Sequence, residues 1–175
     1  VLDAFEKVRA EHPDTLLLLV PRHPDRFDKV ASLCEKRGYN VQRRSAANAD
    51  CPKAIDIFLG DSMGEMMIYY ASADVAFIGG SLVKTGGHNM LEPAAVGLAS
   101  VTGPHVFNFT EIADMLIEVG ALFQVEGVDE LAIQTAALLS DSTKRSQAGD
   151  NGRKLVEENR GAVDTYVDLI WKVLK

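Results

Sequence analysis

The sequence predicts an α/β fold, a Rossmann-like and doubly wound sheet of six parallel strands followed by a helical C-terminus. Three observations support this prediction. Short apolar runs alternate with longer segments of helical periodicity, and Gly, Pro, Asp or Asn stands at each junction. The apolar runs are continuous rather than alternating, as expected of strands covered on both faces. The 175 residues form one domain's length of chain, and no linker or repeat divides it.

The first half of the chain predicts three helices and three strands. An amphipathic helix opens the chain, and each later helix carries apolar residues near helical spacing. Gly38 ends the second helix, as glycine commonly does at a helix C-terminus. The predicted helices cover residues 1–11, 25–37 and 63–72, and the predicted strands cover residues 15–20, 40–44 and 55–59. A polar loop is expected at residues 45–53.

The second half continues the same alternation and then becomes helical. Strands are predicted at residues 75–78, 98–102 and 122–125, with helices at 90–96 and 110–119 between them. From Asp129 onward the pattern is helical, with breaks near Asp141 and Gly161. Because helices separate the strands, the connections are long enough to make every strand pair parallel.

Composition and charge exclude several classes of protein. A net charge of −7 and a pI near 5.1 argue against non-specific nucleic-acid binding, which needs a basic face. No apolar run approaches the roughly 18 residues of a membrane span, so we expect this domain to be soluble. The opening residues predict a charged helix rather than a signal peptide. Cys34 and Cys51 form neither a CxxC pair nor a ligand cluster, and reduced cytosolic thiols are expected.

The predicted fold also indicates where a ligand would bind. Open α/β sheets bind ligands beyond the carboxyl ends of their strands, at a switch in strand order. The segments that follow predicted strands are rich in Gly, Pro, His or charged residues. These segments are residues 21–23, 60–65, 79–92 and 103–105.

The glycine-rich stretch at residues 79–92 carries the strongest signal. Paired glycines permit positive φ and close approach to a ligand, and the helix start that follows favours an anion such as phosphate. The stretch matches neither a Walker A loop nor GxGxxG, which disfavours a nicotinamide-binding domain. A purely structural alternative is a tight turn with Asn89 as N-cap and Glu92 closing a capping box.

Two other loops allow the same choice between binding and structure. Ser62 and Glu65 have the spacing of a capping box, but Gly64 in a first helical turn would cost roughly 1 kcal/mol relative to Ala. A ligand that approaches closely would explain this glycine. Arg22 follows a strand, and its planar guanidinium suits a phosphate or carboxylate, although an isolated Arg is commonly a solvated surface residue.

No metal site or catalytic triad is legible in the sequence. The four histidines form no i,i+4 pair, and no cysteine or carboxylate completes a ligand set around them. Ser81 lies outside any G-x-S-x-G motif. We therefore expect neither a bound metal nor a serine nucleophile.

Four motifs in order resemble one family closely. They are PRHP at residues 21–24, GDSMGE at 60–65, ADVAFIGGSLV-x-x-GGHN-x-LEPAA at 73–95 and GPH-x-FNF at 103–109. The sequence resembles the 3-deoxy-D-manno-octulosonic acid (Kdo) transferases, which build the lipopolysaccharide core of Gram-negative bacteria. The resemblance covers essentially the whole chain, residues 1–175, and corresponds to the C-terminal half of such an enzyme.

The resemblance implies a GT-B glycosyltransferase with two Rossmann-like domains facing a cleft. This half would bind the donor CMP-Kdo, and the other half, expected to lie outside this chain, would hold the lipid A precursor and the acidic general base. Transfer would invert the anomeric carbon without a metal or other cofactor, at the cytoplasmic face of the bacterial inner membrane. The chain alone would bind CMP or CMP-Kdo without turning over.

The resemblance also assigns site residues by position. Three motifs would contact the nucleotide, with Arg22 and the helix start on the phosphate and Glu92 on the ribose hydroxyls. The nucleotide-binding residues are Pro21, Arg22, Met63, Gly64, Glu65, Asn89, Met90, Leu91 and Glu92. Supporting roles fall to Ser81, Gly86, Gly87 and His88. Met90 stands where the family commonly has Pro, which should reduce rigidity without abolishing binding.

Two alternatives of different classes remain open at this point. The domain could belong to another GT-B enzyme that uses a UDP-sugar, either a transferase or an epimerase, and base preference would distinguish it. It could also be a non-catalytic nucleotide-binding or assembly module. In that case the last helix would use an apolar stripe on residues 163–174, including Trp171, for docking to a partner, unless the stripe belongs to the domain's own core.

Overall fold

The computed structural model describes residues 1–46, 54–160 and Trp171. Its helices and strands follow the predicted order. The strands are β1 (Leu17–Leu19), β2 (Val41–Arg43), β3 (Ile57–Leu59), β4 (Ala76–Ile78), β5 (Ser100–Thr102) and β6 (Leu122–Gln124). The helices are α1 (Leu2–Glu11), α2 (Phe27–Lys36), α3 (Met66–Ala71), α4 (Leu91–Ala95), α5 (Thr110–Glu118), α6 (Val128–Ser140) and α7 (Ser142–Glu158). Short 3-10 turns lie at Pro24–Arg26 and Arg44–Ala46.

The strands form two parallel sheets of three strands, so the prediction of one continuous six-stranded sheet was wrong. The strand orders are β1-β3-β2 and β4-β5-β6, and every pair is parallel as predicted. Apolar runs in a sequence indicate how many strands exist. They do not indicate which strand edges exchange hydrogen bonds, because pairing depends on contacts between distant segments.

Helices cover both faces of the second sheet. Phe77, Val101 and Phe123 are in register on neighbouring strands and pack in a core with residues of α1 and α6. Ile78 and Leu122 belong to a core on the other face, with residues of α4 and α5. This double coverage explains the continuous apolar runs of the sequence and is the doubly wound arrangement that the sequence predicts.

Helix α1 packs against both sheets. Phe5 is buried with residues of β3 and α2 in the core of the first sheet. Ala4 and Val8, on the same helix, are buried in the core of the second sheet. Beyond its last turn, His12 Nε2 lies 3.2 Å from the carbonyl oxygen of Ala136 on α6. The two sheets therefore share a supporting helix although they share no strand pairing.

Helix α4 packs against α7 through glycine. The Gly149 backbone lies so close to the Gly97 carbonyl that an added Cβ would overlap it. A Cβ on Gly152 would lie 3.3 Å from the Ala94 Cβ, which is tight but not an overlap. Small residues on α7 thus set the position of the short helix that carries Glu92.

Some predicted boundaries move in the structure. α3 begins at Met66 rather than at residue 63, so Gly64 lies in the preceding loop and not in a helical turn. Each strand is three residues long and lies within the longer predicted run. The predicted break near Asp141 is confirmed, and Asp141 caps α7 by accepting from the Lys144 N–H at 2.9 Å. The break predicted near Gly161 lies outside the described residues.

Within residues 1–46 and 54–160, no helix has the length and apolar character required to cross a membrane.

Candidate functional site

The loops after β1 and β4 meet at the carboxyl edge of the two sheets. Arg22 Nη1 donates to His88 Nδ1 at 2.9 Å. Arg22 belongs to the first predicted motif, and His88 to the glycine-rich stretch 66 residues later. The contact therefore brings together the predicted nucleotide-contacting Arg22 and the predicted support residue His88, as expected if both follow strands that end at one edge.

Glycines determine the path of the loop after β4. Gly80, Gly86 and Gly87 have φ values of +72°, +91° and +75°, which L side chains rarely adopt. The Gly80 carbonyl accepts from the Gly87 N–H at 2.9 Å and from the Thr85 hydroxyl at 2.6 Å, which closes the loop on itself. A Cβ on Gly86 would overlap the Asn108 side chain. These glycines are required by the loop's own geometry.

Ser81 joins the ends of two neighbouring strands. Its side chain is fully buried, donates to the Ile78 carbonyl at 2.6 Å and accepts from the Gly103 N–H at 2.8 Å. Its own carbonyl accepts from the His105 N–H at 2.9 Å. Ser81 thus fixes the glycine-rich loop to the loop after β5. Its support of a ligand site stays a prediction.

The start of α4 differs from a capping box. The Asn89 side chain accepts from the Leu91 N–H at 3.0 Å and donates to Glu92 Oε1 at 3.1 Å. The helix begins at Leu91, with Met90 at the N-cap. The Leu91 amide, predicted as a phosphate contact, is thus already occupied by Asn89. The hydrogen bond from the Leu91 N–H to the Asn89 side chain is of the kind that a capping side chain makes, although the helix bounds place Met90 at the N-cap. The Glu92 carboxylate contacts the Asn89 side chain rather than its backbone N–H, and this is the departure from a capping box.

Met90 and Glu92 occupy opposite environments. Met90 is 1% exposed and packs in the core beneath β4, so only its backbone could reach a ligand. Glu92 is half-buried near Tyr70, and burial, together with the nearby Glu92 charge, raises the pKa of Tyr70 to about 12. Tyr70 therefore stays neutral at physiological pH and can only donate or accept a hydrogen bond.

The Glu65 carboxylate is engaged by neighbouring side chains of the protein. Arg44 Nη2 donates to its Oε1 at 2.9 Å, the Ser62 hydroxyl donates to its Oε2, and the Tyr69 hydroxyl donates to the same atom at 3.3 Å. The hydrogen bonds from Ser62 and Arg44 lower the pKa of Glu65 below its usual range. Glu65 therefore stays ionised and holds its loop, while Met63 and Gly64 beside it are exposed.

The sequence reasoning missed Arg44. This residue ends the predicted strand at 40–44, so its place at the carboxyl edge was the signal that could have identified it. Among the described residues, no hydrogen bond links the loop at residues 60–65 to the glycine-rich stretch. The Arg22–His88 hydrogen bond thus joins the first and third motifs directly. The second motif, at residues 60–65, lies apart from this contact.

The described part of the chain contains no group of three or more His, Cys, Asp or Glu residues that could hold a metal ion. His23 and His105 follow β1 and β5, but neither belongs to such a group. Cys34 is a free and buried thiol beneath the first sheet, and burial raises its pKa.

The fold and the residues at this edge define a Rossmann-like α/β domain with a cationic side chain beside a glycine-rich loop. The family model of glycosyl transferases group 1 matches residues 1–155. The chain belongs to this family of glycosyltransferases.

Two curated relatives of the chain carry the name of the family that the motifs resemble. The chain is 44% identical over 171 residues to the 3-deoxy-D-manno-octulosonic acid transferase of Haemophilus influenzae. It is 36% identical over 169 residues to the enzyme of the same name from Bordetella pertussis. Each match covers 97% of this chain, and the chain spans 40% of the length of each relative.

A solved structure of similar fold supports the same family. The crystal structure of the C-terminal CMP-Kdo binding domain of WaaA from Acinetobacter baumannii superposes with a TM-score of 0.82 at 32% identity. The match covers 89% of this chain and 81% of that one. These similarities confirm the resemblance to Kdo transferases and the predicted fold class, the C-terminal half of a GT-B glycosyltransferase.

Proposed function

We propose that this chain is the donor-binding half of a Kdo transferase and that it binds CMP-Kdo at the carboxyl edge of its sheets. The observation that carries the proposal is the Arg22–His88 contact of 2.9 Å. It places a guanidinium beside the glycine-rich loop, where a nucleotide phosphate would need a cation. The similarity to Kdo transferases and to a CMP-Kdo binding domain supports cytidine as the base.

Arg22 would stabilise the leaving group of the transfer. When the bond between the sugar and its oxygen breaks, CMP departs and its phosphate gains negative charge. A fixed guanidinium next to that phosphate favours the charge more in the transition state than in the bound donor. This role needs no proton transfer by Arg22, because its guanidinium remains charged throughout.

Glu92 is the candidate for the ribose hydroxyls. Its Oε1 accepts from Asn89 at 3.1 Å, and the described residues offer no hydrogen-bond donor to its Oε2. One carboxylate oxygen therefore anchors the side chain while the other stays available for a ligand. Asn89 and Pro21 remain predicted contacts, and Leu91 remains one on the condition that a phosphate replaces Asn89 as the acceptor of its N–H.

The second motif would act through its backbone. The side chain of Glu65 is occupied by Arg44, so we assign the predicted cytosine and phosphate contacts to the main chain of Met63 and Gly64. Gly64 has a φ of +80° and open space where a Cβ would stand, which leaves its backbone accessible. Met90 would support the site only by packing beneath it.

For the whole protein, we propose that Kdo is transferred to a lipid A precursor held by an N-terminal domain that also supplies the general base. This reaction would take place at the cytoplasmic face of the inner membrane and would need no cofactor beyond the CMP-Kdo donor. Donor binding by this chain and transfer by the full-length enzyme are separate claims with separate tests.

The binding claim is tested by calorimetric or NMR titration of this chain with CMP, with UMP and NAD as controls. We expect saturable CMP binding, weaker UMP binding and no binding of NAD. Arg22→Met should weaken CMP binding and leave binding of cytidine, which lacks a phosphate, unchanged. Arg26→Met is the matched control, since Arg26 is an exposed arginine in the 3-10 turn that follows the loop of Arg22.

Two results would contradict the proposal. Preference for UMP over CMP would place the chain in an enzyme that uses a UDP-sugar. Failure to bind any nucleotide, both alone and in the two-domain protein, would favour a non-catalytic assembly module.

A further inference from the structure

We propose that His88 is the positioning residue of the donor site: it orients Arg22 through a neutral acceptor and so leaves the full charge of Arg22 available to the donor phosphate. The inference rests on the proposed function. It explains how the site holds the Arg22 guanidinium in one orientation without pairing it with a carboxylate. It gives His88 a more specific role than general support of the loop.

The first step is the placement of the imidazole. The His88 ring lies over the glycine pair that follows β4, and a Cβ on Gly80 would stand 3.3 Å from His88 Cε1. A Cβ on Gly79 would stand 3.6 Å from His88 Cδ2. Gly80 therefore leaves room for the ring, whereas a side chain on Gly79 would make only an ordinary contact with it. The ring presents Nδ1 to Arg22 at 2.9 Å.

Arg22 differs from most other arginines of the described residues in its hydrogen-bond partner. Six arginines in the described part of the chain lie within 4.0 Å of a carboxylate, namely Arg9, Arg37, Arg43, Arg44, Arg145 and Arg153. Arg22 has no carboxylate partner among the described residues, and its side-chain hydrogen bond goes to an imidazole nitrogen. A carboxylate at the position of His88 would also orient Arg22, but it would neutralise the cation and repel a phosphate.

The third step is the protonation state of His88. Since a guanidinium only donates, Nδ1 must be unprotonated to accept, which makes His88 neutral with its proton on Nε2. Burial lowers the pKa of His88, and the charges of Arg22 and His23 lower it further. These are the charged groups that face the ring from the loop after β1, and the loop after β4 adds the Gly87 backbone, which acts weakly in the other direction.

The test compares three substitutions by calorimetric titration with CMP. His88→Asn keeps a neutral acceptor close to the position of Nδ1, His88→Asp keeps the same shape with a negative charge, and His88→Leu removes the acceptor. We expect CMP affinity within about threefold of the unmodified chain for Asn, about tenfold weaker for Leu and more than about thirtyfold weaker for Asp. Cytidine binding should be the same in all three variants, which also verifies that they fold.

The Asn and Asp variants are then repeated in an Arg22→Met background. The aspartate of His88→Asp could also repel the phosphate directly. The difference in CMP affinity between His88→Asn and His88→Asp that persists without Arg22 measures that repulsion. We expect the Asn-to-Asp difference to be several-fold larger when Arg22 is present, because part of it acts through neutralisation of Arg22. A merely structural role of His88 would give equal differences in the two backgrounds.

Two outcomes would overturn the inference and leave donor binding intact: unchanged CMP affinity in His88→Leu, or an Asn-to-Asp difference that is independent of Arg22. Absence of CMP binding by the unmodified chain would instead overturn the proposed function, and this inference with it.

Discussion

Arg44 Nη2 lies 2.9 Å from Glu65 Oε1, so a carboxylate that matches a nucleotide-binding motif is paired with a side chain of the protein itself. Ser62 and Tyr69 donate to the other oxygen of the same carboxylate. The consequence is a loop whose backbone is held in place by its own side chains. In the proposed donor site, Glu65 would therefore act by fixing Met63 and Gly64 rather than by touching the ligand itself.

This arrangement predicts an acid-dependent contribution of Glu65 to stability. The pKa of Glu65 is lowered below 4.5 by Ser62 and Arg44. A lowered pKa gives a stabilisation that is complete above the unfolded-state pKa and is lost as the pH falls through the folded-state value. We therefore expect Glu65→Gln to be less stable than the unmodified chain at pH 7, and the difference to shrink below about pH 4.

Urea unfolding at a series of pH values measures this effect. Glu118→Gln, which changes an exposed carboxylate at the end of α5, is the matched control for the loss of a carboxylate that makes no ion pair or side-chain hydrogen bond among the described residues. A Glu65→Gln difference that stays constant between pH 7 and pH 3 would contradict the assignment of the Arg44 and Ser62 contacts.

Glu92→Gln should weaken CMP binding by about ten- to a hundredfold, as expected for a hydrogen bond to a charged group. The Gln side-chain oxygen can still accept from Asn89, so the helix start is preserved. The substitution then replaces the unoccupied Oε2 of Glu92 with an NH₂ group. The measurement is calorimetric titration with CMP and with 2′,3′-dideoxy-CMP, which lacks the ribose hydroxyls. The dideoxy nucleotide should bind both proteins equally, and a further loss in Glu92→Gln would show that the carboxylate acts elsewhere.

Gly86→Ala and Gly38→Ala separate backbone strain from steric overlap. Both glycines have positive φ, but a Cβ on Gly38 meets open space whereas one on Gly86 overlaps Asn108. We expect Gly38→Ala to lower the free energy of unfolding by about 1 kcal/mol and Gly86→Ala by about 1–3 kcal/mol more. Urea unfolding gives both values, and equal losses would exclude the close packing of the loop against residues 107–108.

Trp171→Glu should leave stability within about 0.5 kcal/mol, as is usual for surface positions. The side chain is 61% exposed, which favours a surface position over one in the core of this domain. Phe5→Ala, at a position that is 5% exposed, is the contrasting change and should cost about 3–5 kcal/mol. A large loss in Trp171→Glu, measured by urea unfolding, would place Trp171 in the core.

Local patterns predicted the elements well, and long-range contacts account for what they missed. Strand β5 and helix α5 follow directly from an apolar run and from helical spacing. The separation of the six strands into two sheets has no local signal. The same holds for the site, because Arg22 and His88 were singled out separately and their contact joins residues 66 positions apart. Arg44 was missed since its partner Glu65 lies 21 residues further along.

The placement of α1 affects how local unfolding exposes the amides of the two sheets to solvent. The two sheets have separate hydrogen-bonded ladders, so neither ladder protects the amides of the other from exchange with solvent. Phe5 on one side and Ala4 and Val8 on the other make α1 the common support of both. Detachment of α1 would therefore raise the rate of amide hydrogen exchange in both sheets at once. Destabilisation of α2 would raise it in the first sheet alone.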